Sequence, residues 1–405
     1  MKAVVAAIGS RGDVVPFAHL ATRLTTAGHD VTLVTHQALS RLVDPSLRVI
    51  GVPSDPAALL AGPAARAVRR ANPAALNRSR EIFARFVQSA QRPAGEALTG
   101  ADVLVASTFA IAAVDEALRR SVPVVRAHLW PEYPGADGPI PLLPYEWLAP
   151  PPVRRLARRS LRRAEPYLGG VEGRWRRGRL TLVARYPVGL KTATAGSLYA
   201  FSPHLVSSLP GDGAVTGWWT GPGDPGRLPD GVVAALEGGE EWIFAGFGSM
   251  AQRDPAALLD LLAAACERVG VRAVVQLADP GVRRHPRLLC VGEGPHDELF
   301  RRVRAVVHHG GAGTTGTVVR AGVPSVVVPH FADQFYWGRR LHALGVAARP
   351  LPRALLSERG LAQRIRQALA APMTGRAARL AEQVREEDGC GRAVRQVEAW
   401  LAGRG

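Results

Sequence analysis

The chain has 405 residues, more than one ordinary domain needs and enough to build two separate cores. Its 47% hydrophobic and 21% charged residues exclude a disordered chain. A net charge of +17 raises nucleic acid or an anionic surface as partners, yet no aromatic platform or reading helix accompanies it. Only Lys2 and Lys191 are lysine, so the excess is almost all arginine, in a chain also rich in Ala, Gly, Pro and Val. GC-rich codon usage explains arginine over lysine but not the scarcity of acids. The surplus is also lopsided: residues 1–210 carry +13 and residues 211–405 carry +4. Cys266, Cys290 and Cys390 are too few and too scattered for a disulfide framework, and no C-x-x-C pair suggests zinc. The first apolar run is stopped at Gly9-Ser10-Arg11-Gly12-Asp13, too early for a signal peptide, and no later run is long enough to span a membrane. The expected location is the cytosol.

In chain order, residues 2–8 read as a buried strand. A glycine turn follows, then an amphipathic helix beginning near Val14, with Phe17, Leu20, Ala21 and Leu24 at helical spacing. Gly28 closes the helix and 31–35 is the next strand, completing a βαβ unit and implying a parallel sheet. Residues 103–106 and 123–127 add further buried strands. The second half repeats the pattern. A strand at 242–246 leads through Phe247-Gly248-Ser249 into a helix over 255–269. Short strands at 271–277, 288–292, 305–308 and 325–328 then alternate with helical segments. Pro and Gly crowd the stretch between the halves. The expected organisation is a first Rossmann-like domain over 1–210, a linker over 211–230, and a second Rossmann-like domain over 231–385. A C-terminal helix within 386–405 is expected to pack back on the first domain. Two doubly wound α/β domains facing a cleft would place their strand C-terminal ends, where ligands bind, around one space.

The strongest motif is His308-His309-Gly310-Gly311-Ala312-Gly313-Thr314-Thr315, directly after a strand. Small residues at a strand-to-helix turn let backbone N–H groups approach an anion, and the helix N-terminus adds favourable partial charge. The alternative is a glycine turn that only packs a helix. Nineteen residues beyond Thr314, Asp333-Gln334 follows another strand. A carboxylate and an amide side by side suit neighbouring sugar hydroxyls, while Asp333 equally suits a helix N-cap.

These residues, with Ser10-Arg11-Gly12-Asp13 and Pro16 at the start, resemble the GT-B glycosyltransferases that decorate natural products, those of the vancomycin group above all, with sterol and macrolide glycosyltransferases near. Gly217-Trp218-Trp219, Gly246-Phe247-Gly248-Ser249, Pro295-His296-Asp297 and Glu387-Asp388-Gly389 extend the likeness over most of the chain. The resemblance implies an inverting transfer of a hexose or deoxyhexose from a UDP- or dTDP-sugar co-substrate to a hydroxyl of a small molecule. No cofactor and no metal are implied, in keeping with the absence of any D-x-D. Asp13 would be the catalytic base, a role that competes with capping the first helix. His309, Gly311, Ala312, Gly313 and Thr314 would cradle the diphosphate. Gly248 and Ser249, and the opening Ser10, Arg11 and Gly12, would lie on the donor. Asp333 and Gln334 would hold the transferred sugar. The segment 292–296 would run beside the base, with His296 itself structural. Two other readings stand beside this one: a lipid or cell-wall precursor as acceptor, or a non-catalytic nucleotide-sugar-binding partner protein.

Between Pro151 and Leu190 eleven arginines face only Glu165 and Glu172. Arg154, Arg155, Arg158, Arg159, Arg162 and Arg163 recur at helical spacing opposite Val153, Leu156 and Leu161. A solvated basic face explains this as well as an acidic acceptor does. A contact of segment 154–179 with anionic membrane or a carrier protein is a third explanation. His128, Trp130 and Tyr133 are candidates for the acceptor side, although both aromatic residues could equally pack beneath their loop.

Overall fold

The structure is a computed structural model that describes residues 1–61, 82, 85–131, 150, 152–153, 155–156, 171–176, 179–184, 194–206, 213–221, 227–247, 254–277, 285–330 and 333–403. The first domain begins β1 (Lys2–Ala7), α1 (Arg11–Thr26), β2 (Asp30–His36), β3 (Arg48–Val52), α2 (Pro56–Ala61), α3 (Gln91–Ala97), β4 (Val103–Ala106), α4 (Ile111–Arg119) and β5 (Val124–His128). A hairpin of β6 (Val171–Arg176) and β7 (Arg179–Ala184) follows, then β8 (Thr194–Tyr199) and β9 (Ala214–Val215). All but the hairpin join one parallel sheet ordered β3-β2-β1-β4-β5-β8-β9.

The second domain runs α5 (Asp230–Glu237), β10 (Trp242–Gly246), α6 (Pro255–Val269), β11 (Arg272–Gln276), β12 (Leu288–Val291), α7 (His296–Phe300), β13 (Val306–His308), α8 (Ala312–Ala321), β14 (Ser325–Val327), α9 (Gln334–Ala343), α10 (Glu358–Ala368) and α11 (Ala371–Arg385). Its parallel sheet has the order β12-β11-β10-β13-β14. In each sheet the strand order reverses between the first strand and its second neighbour, β1 with β4 and β10 with β13. The turns that leave β1 and β13 therefore open at a topological switch point.

Both sheets are apolar on both faces because helices cover both. Val5, Ala7, Val103 and Val105 pack beneath Phe17, Leu20 and Leu24 of α1, while Val4, Ala6, Leu104 and Ala106 face α3 and α4. The second sheet divides in the same way between Leu259, Leu262 and Ile365 on one side and Phe244, Phe300 and Val318 on the other. Each fully buried side chain of this size contributes roughly 1.5–3 kcal/mol relative to exposure.

The two tryptophans at the junction divide between the domains. Trp219 meets Phe17 edge-on with centroids 5.2 Å apart, and Trp218 meets Trp337 at 5.4 Å. Helix α12 (Gly389–Ala402) returns to the first domain, where Cys390, Ala393, Val394 and Val397 join the α1 core. Its Trp400 lies over Gly196, where a Cβ would come within 2.5 Å of the ring.

Several elements differ from the sequence reading. β3, β8 and β9 carry no strong apolar run, and β9 falls inside the stretch read as linker, where it extends the first sheet. In the arginine-rich region, 152–153 and 155–156 are helical with Val153 and Leu156 exposed, and 171–176 pairs with 179–184 in the hairpin. Arg154, Arg158, Arg159, Arg162 and Arg163 lie outside the described residues, as do Gly248, Ser249 and Tyr133. Among the described residues no helix is long and apolar enough to cross a membrane.

Candidate active site

The first turn of the site is clamped from both sides by the strands that flank β1. Ile8 N–H donates to Ser107 Oγ at 3.0 Å, beyond β4, and Gly9 N–H donates to His36 Nε2 at 3.1 Å, at the end of β2. Gly9 has φ +144°, and a Cβ there would lie 2.5 Å from the Asp13 carboxylate, so only glycine lets that side chain fold back over the turn.

Ser10 is the N-cap of α1, which begins at Arg11 rather than near Val14. Asp13 is therefore not the cap but the third helical residue. Its Oδ2 accepts from Ser10 N–H at 2.7 Å and from Ser10 Oγ–H at 2.8 Å. This capping box holds the carboxylate at the positive end of α1, where negative charge is favoured. Arg11 and Gly12 are exposed in the same first turn.

The second turn leaves β13. His308 is fully buried and its Nδ1 accepts from Gly310 N–H at 3.2 Å. Gly310 has φ +88°, with Val327 Cγ1 only 2.6 Å from where its Cβ would be. Gly311 caps α8, and the His309 ring lies over it, Nε2 being 2.5 Å from an added Cβ. Burial, reinforced by neighbouring histidines, pushes His308 down to about 3 and His309 down to about 4, so both rings are neutral near pH 7. His309 Nδ1 is buried with no partner among the described residues.

Thr315 N–H is the first in α8 to reach a helical acceptor, Gly311 O at 2.9 Å. The N–H groups of Ala312, Gly313 and Thr314 thus have none within the helix. Among the described residues, a Cβ at Gly313 would meet nothing within 4 Å.

Asp333 and Gln334, expected as a pair, take different environments. Gln334 is 4% exposed, and its Oε1 accepts from His330 N–H at 2.8 Å, fixing the loop after β14. Asp333 stands at the N-cap position of α9 but makes no cap bond to that helix. Burial, then the charge of Asp13, pushes its carboxyl up to about 7; backbone N–H groups at Ala312, Asp333 and Gln334 offset part of the rise. One partner of Asp333 is thus the first residue of the glycine-loop helix.

Across the cleft mouth, Arg11 Nη1 meets Glu293 Oε2 at 2.8 Å, joining the β1 turn to the loop after β12. His296 bonds Gln276 Oε1 through Nε2 at 3.1 Å and stacks on Phe300 at 4.9 Å, a packing position. His128 does not line open space: it is 2% exposed and stacks on Tyr199 at 5.2 Å. Trp130 is partly buried against the junction cluster that holds Tyr199, Phe201 and Trp337. His19 lies on α1 with its ring against Gly221.

Sequence reasoning passed over Gly9, His36 and Ser107, and took Glu293 only as part of the segment 292–296 without its partner Arg11. Gly9 stood in plain sight beside Ser10; His36 and Ser107 come from remote strand ends with no local signature. Among the described residues no group of three or more His, Cys, Asp or Glu could hold a metal ion.

Comparison with known proteins matches both domains. The family described as glycosyltransferase family 28 N-terminal domain matches residues 3–127, and that described as erythromycin biosynthesis protein CIII-like, C-terminal domain, matches residues 261–397. O-mycaminosyltylonolide 6-deoxyallosyltransferase of Streptomyces fradiae is 32% identical over 428 residues, covering 100% of this chain and 98% of that protein. A sterol 3-beta-glucosyltransferase of Arabidopsis thaliana is 28% identical over 98% of the chain, which spans only 65% of that longer protein. Among solved structures, the spinosyn rhamnosyltransferase complexed with thymidine diphosphate aligns over 98% of this chain and 100% of that one, with a TM-score of 0.64 and 19% identity.

Proposed function

The chain belongs to the GT-B glycosyltransferases, of the type close to antibiotic and sterol glycosyltransferases, and on that premise we propose that it moves a hexose or deoxyhexose from a UDP- or dTDP-sugar to a hydroxyl of a small-molecule natural product, with inversion. The observation that carries this reading is that α1, whose first turn holds Asp13, packs against α8 of the other domain, with Asp13 near enough to Asp333 for its charge to act on that carboxyl.

In this reading the acceptor O–H gives its proton to Asp13. The carboxylate accepts two bonds from Ser10 and has about four lone-pair sites, so it retains capacity for a third. The oxygen pair attacks the anomeric carbon, and the bond from that carbon to the diphosphate oxygen breaks on the opposite face. The leaving electron pair goes to the nucleoside diphosphate, held by the N–H groups of Gly313 and Thr314 and by neutral His309, while the Ala312 N–H braces Asp333 beside it. Backbone dipoles then supply the charge stabilisation, and the reaction needs no divalent ion. Ser10, Arg11 and Gly12 border the donor. Asp333 takes sugar hydroxyls, with Gln334 bracing its loop. The thymidine diphosphate bound in the spinosyn enzyme supports a dTDP-sugar as one of the donors to try first.

The test is a panel of UDP- and dTDP-sugars, scored by thermal shift and by released nucleoside diphosphate with natural-product alcohols present, with and without EDTA. Binding and release that persist in EDTA support the reading. A protein that binds no nucleotide-sugar and releases none overturns it. The sterol glucosyltransferase relative supports a second acceptor class, sterol-like lipids, which belongs in the same panel.

A further inference from the structure

The two turns of the cleft share a device. Each contains one glycine with positive φ, Gly9 at +144° and Gly310 at +88°, and each of those glycines donates its N–H to a histidine at the C-terminal end of a parallel strand. The ring nitrogens differ. His36 accepts through Nε2, while its Nδ1 donates to Ser54 O at 2.8 Å. His308 accepts through Nδ1. The two histidines come from different domains and from different places in their sheets, β2 beside the turn and β13 leading into it.

We propose that His36 and His308 are the positioning residues of the two turns, each pinning a left-handed glycine through one bare ring nitrogen and so aiming Asp13 in one domain and the anion-binding helix end in the other. A glycine is the freest residue in the chain, so a turn built on one needs an outside restraint to hold a single conformation. The consequence on the first side is direct, because the Gly9 backbone packs against the Asp13 carboxylate, 2.5 Å from where a Cβ would be. On the second side Gly310 lies between Val327 and the backbone oxygen of Gln334, and it precedes Gly311, the N-cap of α8. Both rings must be neutral to accept. Burial is the leading cause that lowers the pKa of each from its ordinary value.

The assignment rests on the glycosyltransferase reading for what the turns do, but not for how they are held. Amide oxygens can stand in for ring nitrogens: that of asparagine falls near Nδ1, that of glutamine near Nε2. The two sites should therefore show opposite preferences. His36→Gln should keep most of the turnover, whereas His36→Asn should lose about tenfold to a hundredfold in kcat at unchanged nucleoside diphosphate affinity, as a slightly misplaced catalytic group does. His308→Asn should keep the affinity for UDP or dTDP, and His308→Gln should weaken it by about tenfold or more, the effect of a misaimed set of N–H donors.

Amide hydrogen exchange at Gly9 and Gly310, measured without ligand on folded variants of matched Tm, reads the same restraint independently of activity. Protection should survive only in His36→Gln and His308→Asn. Equal behaviour of the Asn and Gln variants at both sites, in exchange as in kinetics, would show that the rings only fill volume and would overturn the assignment. If the wild-type protein neither binds nor cleaves nucleotide-sugars while exchange keeps the opposite preferences, the functional reading fails and the positioning role stands.

Discussion

The Asp13 carboxylate lies close enough to Asp333 that its charge, after burial, helps push the Asp333 carboxyl up to about 7. The two groups belong to different domains, so the cleft brings together two carboxyl groups whose repulsion a proton on Asp333 relieves. Folding keeps that proton on Asp333 where the unfolded chain has already lost it. The contribution of Asp333 to stability is therefore constant below about pH 4 and falls as pH rises to about pH 7, the reverse of a salt-bridged carboxylate. A sugar whose hydroxyls donate to Asp333 favours the ionised form, so donor binding should release a proton. Calorimetric titration near pH 6.5 in buffers of different ionisation enthalpy should detect that release with a nucleotide-sugar. The Asp333→Asn variant should lack it. Equal proton release by both proteins would separate Asp333 from the donor.

Replacing Asp13 by asparagine tests the base without removing much of the turn. Asparagine keeps an oxygen for the Ser10 N–H and hydroxyl, so the loss of stability should stay below about 1 kcal/mol. Turnover should fall by about 10²–10⁴-fold, the usual range for a general base, with nucleoside diphosphate affinity unchanged. Full turnover in Asp13→Asn would reduce Asp13 to its capping role.

Legibility in the sequence followed burial and capping. Helix α6 could be read from end to end because Asp254 caps it, Pro255 opens it and left-handed Gly270 closes it. Strand β10 was as clear, since all five of its residues are buried. Strand β8 was not: Ala195, Gly196 and Ser197 give no apolar run, because the space above Gly196 is filled by Trp400, two hundred residues on. The start of α1 was misplaced because Gly12 and Pro16 argue against a helix, whereas Ser10 and Asp13 close a capping box that only the folded turn completes. Single motifs named Asp13, His309 and Asp333. That the charge of Asp13 reaches Asp333, that His36 holds Gly9 and that Glu293 meets Arg11 are products of tertiary folding with no local trace.

The Arg11–Glu293 pair should matter to binding and hardly at all to stability. Both side chains are well exposed, 49% and 72%, so water and salt screen the pair and its loss should cost below about 1 kcal/mol. It nevertheless ties the β1 turn to the loop after β12 across the cleft mouth. Arg11→Glu should raise the donor KM, and the double variant Arg11→Glu, Glu293→Arg should restore it at low salt. A double variant no better than the single one would mean that the pair does not hold the cleft.

Two glycines three residues apart, Gly310 in the turn and Gly313 in the first turn of α8, give the sharpest test of where the diphosphate lies. Gly310 has φ +88°, and an added Cβ would meet Val327 Cγ1 at 2.6 Å and the Gln334 backbone oxygen at 3.0 Å. Gly310→Ala should therefore cost stability, by about 1–3 kcal/mol for the backbone strain alone, and lose nucleoside diphosphate binding with it. Gly313 is helical, and among the described residues its added Cβ would meet nothing within 4 Å. Gly313→Ala should leave Tm unchanged or slightly raised, since alanine favours a helix over glycine. Yet that methyl group would sit at the helix end whose Gly313 and Thr314 N–H groups have no helical acceptor, so affinity for UDP and dTDP should fall while the fold is intact. Chemical denaturation and calorimetric titration of both variants separate the two effects. Undiminished nucleoside diphosphate affinity in Gly313→Ala would place the phosphates elsewhere than at the α8 N-terminus.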